Sequence, residues 1–267
     1  MRERIATANA EVEVAVRGRL SPEAQAYAAE KIGKLLRLAS EPVLAARVRF
    51  TVHHDPAVAR PVVVQGNVDV NGRVVRAQVA APTASEAVDA LEARLRTGLE
   101  RAARHWEARR GRRPLADPRE WRHESMPTVR DEFFPRPSEE REILRHKAYT
   151  LNRSTVDEAV AEMHLLDYDF HLFTETGTGE DTVVYHAGPT LHRIAQVTPP
   201  GPDMLSPFEV PVTISSRRAP LLTTIEAVDR LNLLGRPFLF FLDADRGRGC
   251  VLYHRYDGHY GLISPAA

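Results

Sequence analysis

LLGRPFLFFLDADRGRGCVLYHRYDGHYGLISP, residues 233–265, carries three strand signals in succession. FLFF (238–241) and CVLYH (250–254) are short runs of aromatic and apolar residues, the kind that fit a pleated, half-buried surface. Asp257-Gly258 is a hairpin turn signal, and HYGLI (259–263) is the strand beyond it. Thr223-Thr224 opens a short helix upstream. The same order occurs earlier in the chain. At a constant offset of 68 residues, Thr155, Glu158, Ala159, Val160, Leu165, Leu166, Phe170, Phe173, Gly179, Val183, Tyr185 and His186 match Thr223, Glu226, Ala227, Val228, Leu233, Leu234, Phe238, Phe241, Gly247, Val251, Tyr253 and His254. A shared register with no gap marks two copies of one unit. Each copy reads as a lead strand, a short helix, FHLF or FLFF, then TVVYH or CVLYH. Where the second copy has its Asp-Gly turn and last strand, the first has AGPTLHRI (187–194), which lacks that turn. Thr198-Pro199-Pro200-Gly201-Pro202 separates the copies.

The N-terminal part follows another pattern. Glu11–Gly18 alternates, with Val12, Val14 and Val16 on one face, and reads as a strand. Ser21-Pro22 supplies an N-cap and a proline at the first helical position, opening a helix to about Ser40. Ala28, Ile32, Leu35, Leu36 and Ala39 form its apolar stripe. Strands follow at 46–53, 62–70 and 73–80, the last two joined by Asn71-Gly72. Thr83 and Glu86 form a capping box for a long helix with Val88, Leu91, Leu95, Leu99 and Ala102 on one stripe. The expected fold class is α+β. A β-α-β-β-β-α domain, an antiparallel sheet with both helices on one face, precedes two tandem small β-α-β-β-β-like domains. The expected domains are 1–113, 145–197 and 213–267, with linkers at 114–144 and 198–212. Trp121, Phe133 and Phe134 stand out in the first linker as docking residues for a neighbouring surface or a partner.

Net charge is zero, but residues 1–113 sum to +7 and residues 114–267 to −7. Only the first part is therefore suited to a polyanion. Cys250 is the single cysteine, which excludes an intrachain disulfide and fits a reducing compartment. With no apolar secretory segment at the N-terminus and no membrane-length apolar run, a cytoplasmic protein without membrane association is expected.

Candidate nucleic-acid contacts are the helix-borne cations Lys31, Lys34, Arg37, Arg94, Arg101, Arg104, Arg109 and Arg110, with His105, Arg112 and Arg113 nearby. Two helices side by side on one sheet would merge these into one positive surface, suited to a phosphate backbone. The competing reading is a solvated amphipathic face, because Glu30, Glu92, Glu100 and Glu107 are interleaved. No aromatic stacking platform and no GxxG clamp is present, so folded RNA read by shape fits better than a sequence-specific single strand. His53-His54-Asp55 is the one cluster resembling a metal or acid–base site, and its place before a proline loop marks it as a turn. No metal, no cofactor and no catalytic residue is expected: the chain has no Walker loop, no metal-spaced His/Cys cluster and no evident nucleophile–base pair.

The C-terminal stretch resembles the C-terminal domain of long-form ribosome hibernation promoting factors, of the ribosome-associated inhibitor family. There a Leu-Leu-Gly-like corner leads to an aromatic strand, a valine-tyrosine strand and an Asp-Gly-x-Tyr-Gly-Leu-Ile close. MHLLDYDFHLFTETGTGEDTVVYH (163–186) resembles the same motif up to its last strand, and the N-terminal element order, with its Ala-Ser-Glu-Ala-Val-Asp helix entry, resembles the family's ribosome-binding domain. The resemblance implies a protein that occupies the decoding region of the small ribosomal subunit, excludes messenger and transfer RNA, and preserves idle ribosomes. Its partner is then the ribosome, through ribosomal RNA. The basic residues above would make the contacts. Ordinary long forms carry one C-terminal domain, which pairs with its twin to dimerise ribosomes. Two copies in one chain point instead to an intramolecular pair, with Phe170, Phe173, Tyr185, Phe238, Phe241, Tyr253 and Tyr260 as interaction residues. The alternatives are a ribosome-dimerising factor acting through these domains, a stress regulator that binds a transcription factor through the acidic half, and an RNA-processing enzyme.

Overall fold

In the N-terminal part, Val12–Arg17 forms β1. The Ser21 hydroxyl accepts the Ala24 amide and Pro22 enters the first turn, so α1 runs Pro22–Leu36. It stops a turn before the expected Ser40, because the Leu38 and Ala39 amides bond three residues back to Leu35 and Leu36 and tighten the end. β2 (Val43–Val52), β3 (Val62–Val70) and β4 (Arg73–Ala81) follow, then α2 (Ala84–Arg109). Asn71 and Gly72, both at positive φ, make the tight turn between β3 and β4. The sheet order is β1-β2-β3-β4. It is antiparallel from β2 to β4, but β1 runs parallel to β2, a correction to the expected antiparallel sheet. Returning through α1 lets the chain re-enter the sheet in its original direction. Alternate residues of the strands, including Val48, Phe50, Val64 and Val75, share one core with Ile32, Leu35, Leu91 and Leu95 of the helices. Gly66 sits where α2 crosses: a Cβ there would lie 2.8 Å from Leu95 Cδ1.

The computed structural model describes residues 10–54, 60–109, 136–187, 192–255 and 257–266, with backbone alone for 105–109 and 202. One compact unit holds 10–109 with 164–167, and the other holds 136–163 and 168–266.

The second unit contains two five-stranded sheets. Its strands are β5 (Ile143–Tyr149), β6 (Arg153–Ser154), β7 (Phe170–Glu175), β8 (Asp181–His186), β9 (His192–Gln196), β10 (Thr213–Ile214), β11 (Leu221–Leu222), β12 (Phe238–Asp243), β13 (Gly249–His254) and β14 (Tyr260–Pro265). Helices α3 (Val156–Leu165) and α4 (Thr224–Leu234) begin at Thr155 and Thr223. Each threonine exchanges hydrogen bonds with the glutamate three residues on.

The sheet orders are β6-β7-β8-β9-β10 and β11-β12-β13-β14-β5. The lead strands are thus exchanged: β5, from the first copy, pairs with β14, and β10, from the second copy, pairs with β9. The exchange is reciprocal. Thr213 faces Arg193, and at the same offset of 68 Arg145 faces Gly261. This corrects the expectation of a lead strand in its own copy. Each sheet would otherwise end on unpaired β9 or β14 backbone, and the neighbouring copy closes that edge. The first copy also has a last strand despite lacking the Asp-Gly turn, since β9 pairs with β8 as β14 pairs with β13.

The segment joining the copies is strapped to the first. The Asp157 carboxylate accepts the amides of Glu209 and Val210, and Glu175 accepts that of Ser206. Gly177 lies under this strap. A Cβ there would meet Ser206 N at 2.5 Å and Met204 O at 2.7 Å, both backbone atoms. Gly177→Ala should therefore lift the strap and destabilise the second unit by about 1–3 kcal/mol. Urea unfolding of the full chain would measure this, and Gly201→Ala, at a φ of −66° with only ordinary contacts 3.8 Å from its Cβ, controls for a glycine substitution without the backbone clash.

Candidate functional site

The first surface with functional chemistry is the helical face of the N-terminal unit. β1, β2 and β4 share one direction, so α1 and α2, which each return antiparallel to a preceding strand, point their C-terminal ends the same way. The candidate cations are not equivalent. Lys31 bridges to Asp89 on α2 and donates to the Tyr27 hydroxyl, which itself donates to Asp89 at 2.6 Å. The Lys31 ammonium holds the Asp89 carboxyl below its usual range, and Asp89 in turn raises Lys31. Lys34 pairs with Glu30 one turn back at 2.5 Å. Arg94 is half-buried and donates to the Gln78 carbonyl at 3.0 Å, so it serves the packing of α2 on β4. Arg37 and Arg104 are exposed and Arg101 half-buried, all near the C-terminal ends of the helices. The Arg109 side chain, the His105 side chain, Arg110, Arg112, Arg113 and Asp55 lie outside the described residues, as do Trp121, Phe133 and Phe134.

Sequence reasoning missed Asp89 and Tyr27, although i, i+4 spacing between Tyr27 and Lys31 was a usable signal. It also missed cations on the helix-free face of the sheet. There Arg49 and Arg17 are exposed, while Arg47 makes a two-pronged ion pair with Glu13 at 2.7 and 2.8 Å.

The second surface lies between the two sheets of the second unit. Strand alternation sends Phe170, Leu172, Val183 and Tyr185 from one sheet, and Phe238, Phe240, Val251 and Tyr253 from the other, into a shared layer. Phe170 and Phe238 lie 4.7 Å apart between ring centroids. Tyr185 lies 5.3 Å from Phe238, and Tyr253 lies 5.7 Å from Phe170. Phe173, Phe241 and Tyr260 are placed differently. All three are fully buried, and Phe241 and Tyr260 belong to the core beneath α4 with Leu231 and Leu252. The sequence signal of aromatic strands thus held two populations, separated by the period-two alternation.

Buried polar groups close the strand turns. Glu175 is fully buried. Burial alone would raise its carboxyl, but the amides of Thr178, Gly177 and Ser206 prevail and lower it. Asp243, its counterpart, accepts the amides of Asp245 and Arg246. Burial pushes the His192 imidazole down to about 4, with neighbouring His186 adding to the effect. Burial, then Arg141, does the same to His254.

No helix among the described residues is long and apolar enough to cross a membrane. Residues 13–106 match the family described as Sigma 54 modulation protein / S30EA ribosomal protein, and residues 138–190 and 213–262 each match its C terminus. The chain is 40% identical over 226 residues to the "Dormancy associated translation inhibitor" of two Mycobacterium tuberculosis strains, CDC 1551 / Oshkosh and H37Rv. The match covers 82% of this chain and 76% of the relative. Among solved structures, a ribosomal subunit interface protein from Coxiella burnetii aligns over 34% of this chain and 96% of its own, at 19% identity and a TM-score of 0.28. The Protein Y N-terminal domain of Thermus thermophilus aligns over 34% and 98%, at 19% identity and a TM-score of 0.25.

The two depressed histidines fix a pH dependence. The unfolded chain takes up protons near the ordinary value of 6.5, whereas folded His192 and His254 resist protonation down to about 4. The unfolded state binds more protons across this window, so stability falls as pH drops from 6.5 towards 4. Urea midpoints of the second unit should decrease over that range. Replacing both histidines with glutamine should flatten the decrease.

Proposed function

Since this chain belongs to the Sigma 54 modulation/S30EA ribosomal protein family, we propose that it is a ribosome hibernation factor, acting by occupancy and not by catalysis. The N-terminal unit binds ribosomal RNA in the decoding region of the small subunit, excludes messenger and transfer RNA, and preserves the idle ribosome in the cytoplasm. The observation that carries this reading is the 40% identity to a translation inhibitor over a match that covers 82% of the chain. The charge split supports it, because the basic part is the one suited to RNA. Functionally the chain divides into residues 1–113 for RNA, two C-terminal copies at 145–197 and 213–267, and linkers at 114–144 and 198–212.

Arg37, Arg101 and Arg104, exposed or half-buried within the described part, are contact residues together with Arg109 and Arg110. Lys31 and Lys34 contribute less, since Asp89 and Glu30 already neutralise them. The two copies pair with each other, so one chain silences one ribosome without joining two. The contacts of Phe170, Tyr185, Phe238 and Tyr253 favour this over the ribosome-dimerising alternative.

Two measurements test the reading. Changing Arg37, Arg101 and Arg104 together to Glu should abolish co-sedimentation with ribosomes, and wild-type binding should weaken steeply as salt rises. These positions lie at the surface or near it, so stability should change by only about 0.5 kcal/mol each. In a sucrose gradient, ribosomes saturated with the full chain should sediment as single ribosomes. A faster dimer peak would refute the intramolecular pair.

A further inference from the structure

The pairing of the two sheets has an approximate twofold axis. Phe170 meets Phe238, its own counterpart at the offset of 68, with the rings tilted by 33°, and the contacts of Phe170 with Tyr253 and of Phe238 with Tyr185 are each other's counterparts. A residue that meets its own counterpart lies at such an axis. A second position does the same. Asp181 and Gly249 are counterparts, and the Asp181 carboxylate accepts the Gly249 amide at 2.9 Å. A Cβ on Gly249 would lie 2.7 Å from the Asp181 Cβ, too close for both positions to carry side chains. Arg248, next to the glycine, grips the same carboxylate through Nε at 2.8 Å and Nη2 at 2.9 Å. Its counterpart is Glu180, so the arginine exists on one side only.

The surrounding layer is asymmetric in the same sense. Leu172 stands opposite in role to Phe240, Leu151 to Ala219, and Ala195 to Ile263, each pair related by the same offset. The Phe240 ring lies 3.0 Å from where a Cβ on residue 249 would be, so the larger ring and the glycine occur together.

We propose that Asp181, Arg248 and Gly249 form an asymmetric key, which makes the two repeats complementary to each other and not to themselves. The proposal rests on the reading that the repeats pair within one chain. It adds the residues that determine which half pairs with which. A first repeat facing another first repeat would set Asp181 against Asp181, with two Cβ atoms in the space of one and no guanidinium. A second repeat facing its like would oppose two glycines across a gap and leave each Arg248 without its carboxylate. Like-charge juxtaposition and unfilled space are the repulsive elements from which pairing specificity is built. The partner surface excluded is thus the matching half of a second copy of this chain.

The test is made in the full chain by giving both repeats the same key, then exchanging the keys. R248E/G249D puts the first repeat's key on both sides and should lower the unfolding midpoint of the second unit by about 10 °C. E180R/D181G puts the second repeat's key on both sides and should lower it by about 5 °C. Combining all four substitutions transposes the key. With L172F/F240L to move the ring alongside the glycine, the exchanged chain should regain at least half of the loss. A merely structural glycine at 249 would not be rescued from the opposite sheet. The proposal is overturned if R248E/G249D melts with the wild type, or if the exchanged chain melts no higher than R248E/G249D. Sedimentation of the wild-type chain decides the underlying reading separately: a monomer supports it, and a dimer through the C-terminal unit sinks it whatever the exchange shows.

Discussion

A sheet with a helix on only one side leaves its other face bare, and everything in the second unit follows from covering that face. Each repeat buries one alternate set of side chains beneath its helix and presents the other set, rich in phenylalanine and tyrosine, outward. A repeat of this size cannot close a second core alone. The partner sheet supplies the missing layer, and the exchanged strands β5 and β10 cover the backbone edges that the layer would leave unpaired. The strap over Gly177 then holds the chain between the copies against the first of them. Burial, strand exchange and strap address the same constraint at the levels of side chain, edge and connection.

The first unit solves a different problem, keeping a cationic surface on a stable helical pair. Like charges on adjacent helices repel, and the sequence answers with acids placed among them. Asp89 joins the helices through Lys31 and Tyr27, and Glu30 holds Lys34. Arg37 lies just past the end of α1, and Arg101 and Arg104 lie in the C-terminal half of α2. Part of the basic charge therefore serves the packing of the helices, which net charge alone does not reveal.

Much of this was legible in the sequence because it is local. Ser21-Pro22, Asn71-Gly72 and the helix opening at Thr223-Thr224 each act within a few residues, and the structure places each as read. The repeat register was legible because it needs only self-comparison. What was not legible is what depends on a distant segment. The direction of β1 depends on the path of α1, and the exchange of lead strands depends on which edge is nearest in space. Neither leaves a mark in alternation, since a strand reads the same in either direction and in either sheet. The aromatic residues show the boundary most plainly. Their strands were evident, but the division into Phe170, Tyr185, Phe238 and Tyr253 between the sheets and Phe241 and Tyr260 beneath α4, with Phe173 fully buried, required knowing which face met which. The Lys31–Asp89 ion pair was not legible for the same reason, because the two residues lie 58 positions apart.

Duplication changes what a twofold interface can contain. When two identical chains pair, a residue on the axis meets itself, so only self-complementary residues are allowed there. Phe170 and Phe238 still obey that rule, with a ring on each side. Asp181 and Gly249 do not, and no identical pair could hold a carboxylate on one side with an arginine and a glycine on the other. Such divergence is tolerated only once the two halves are connected. Two sites joined by a short connection meet at an effective concentration of roughly millimolar, far above that of separate chains in dilute solution. The halves then need complement only each other, and each change on one side can be answered on the other. The asymmetric salt bridge thus fits two unlike halves facing each other and does not fit two identical ones.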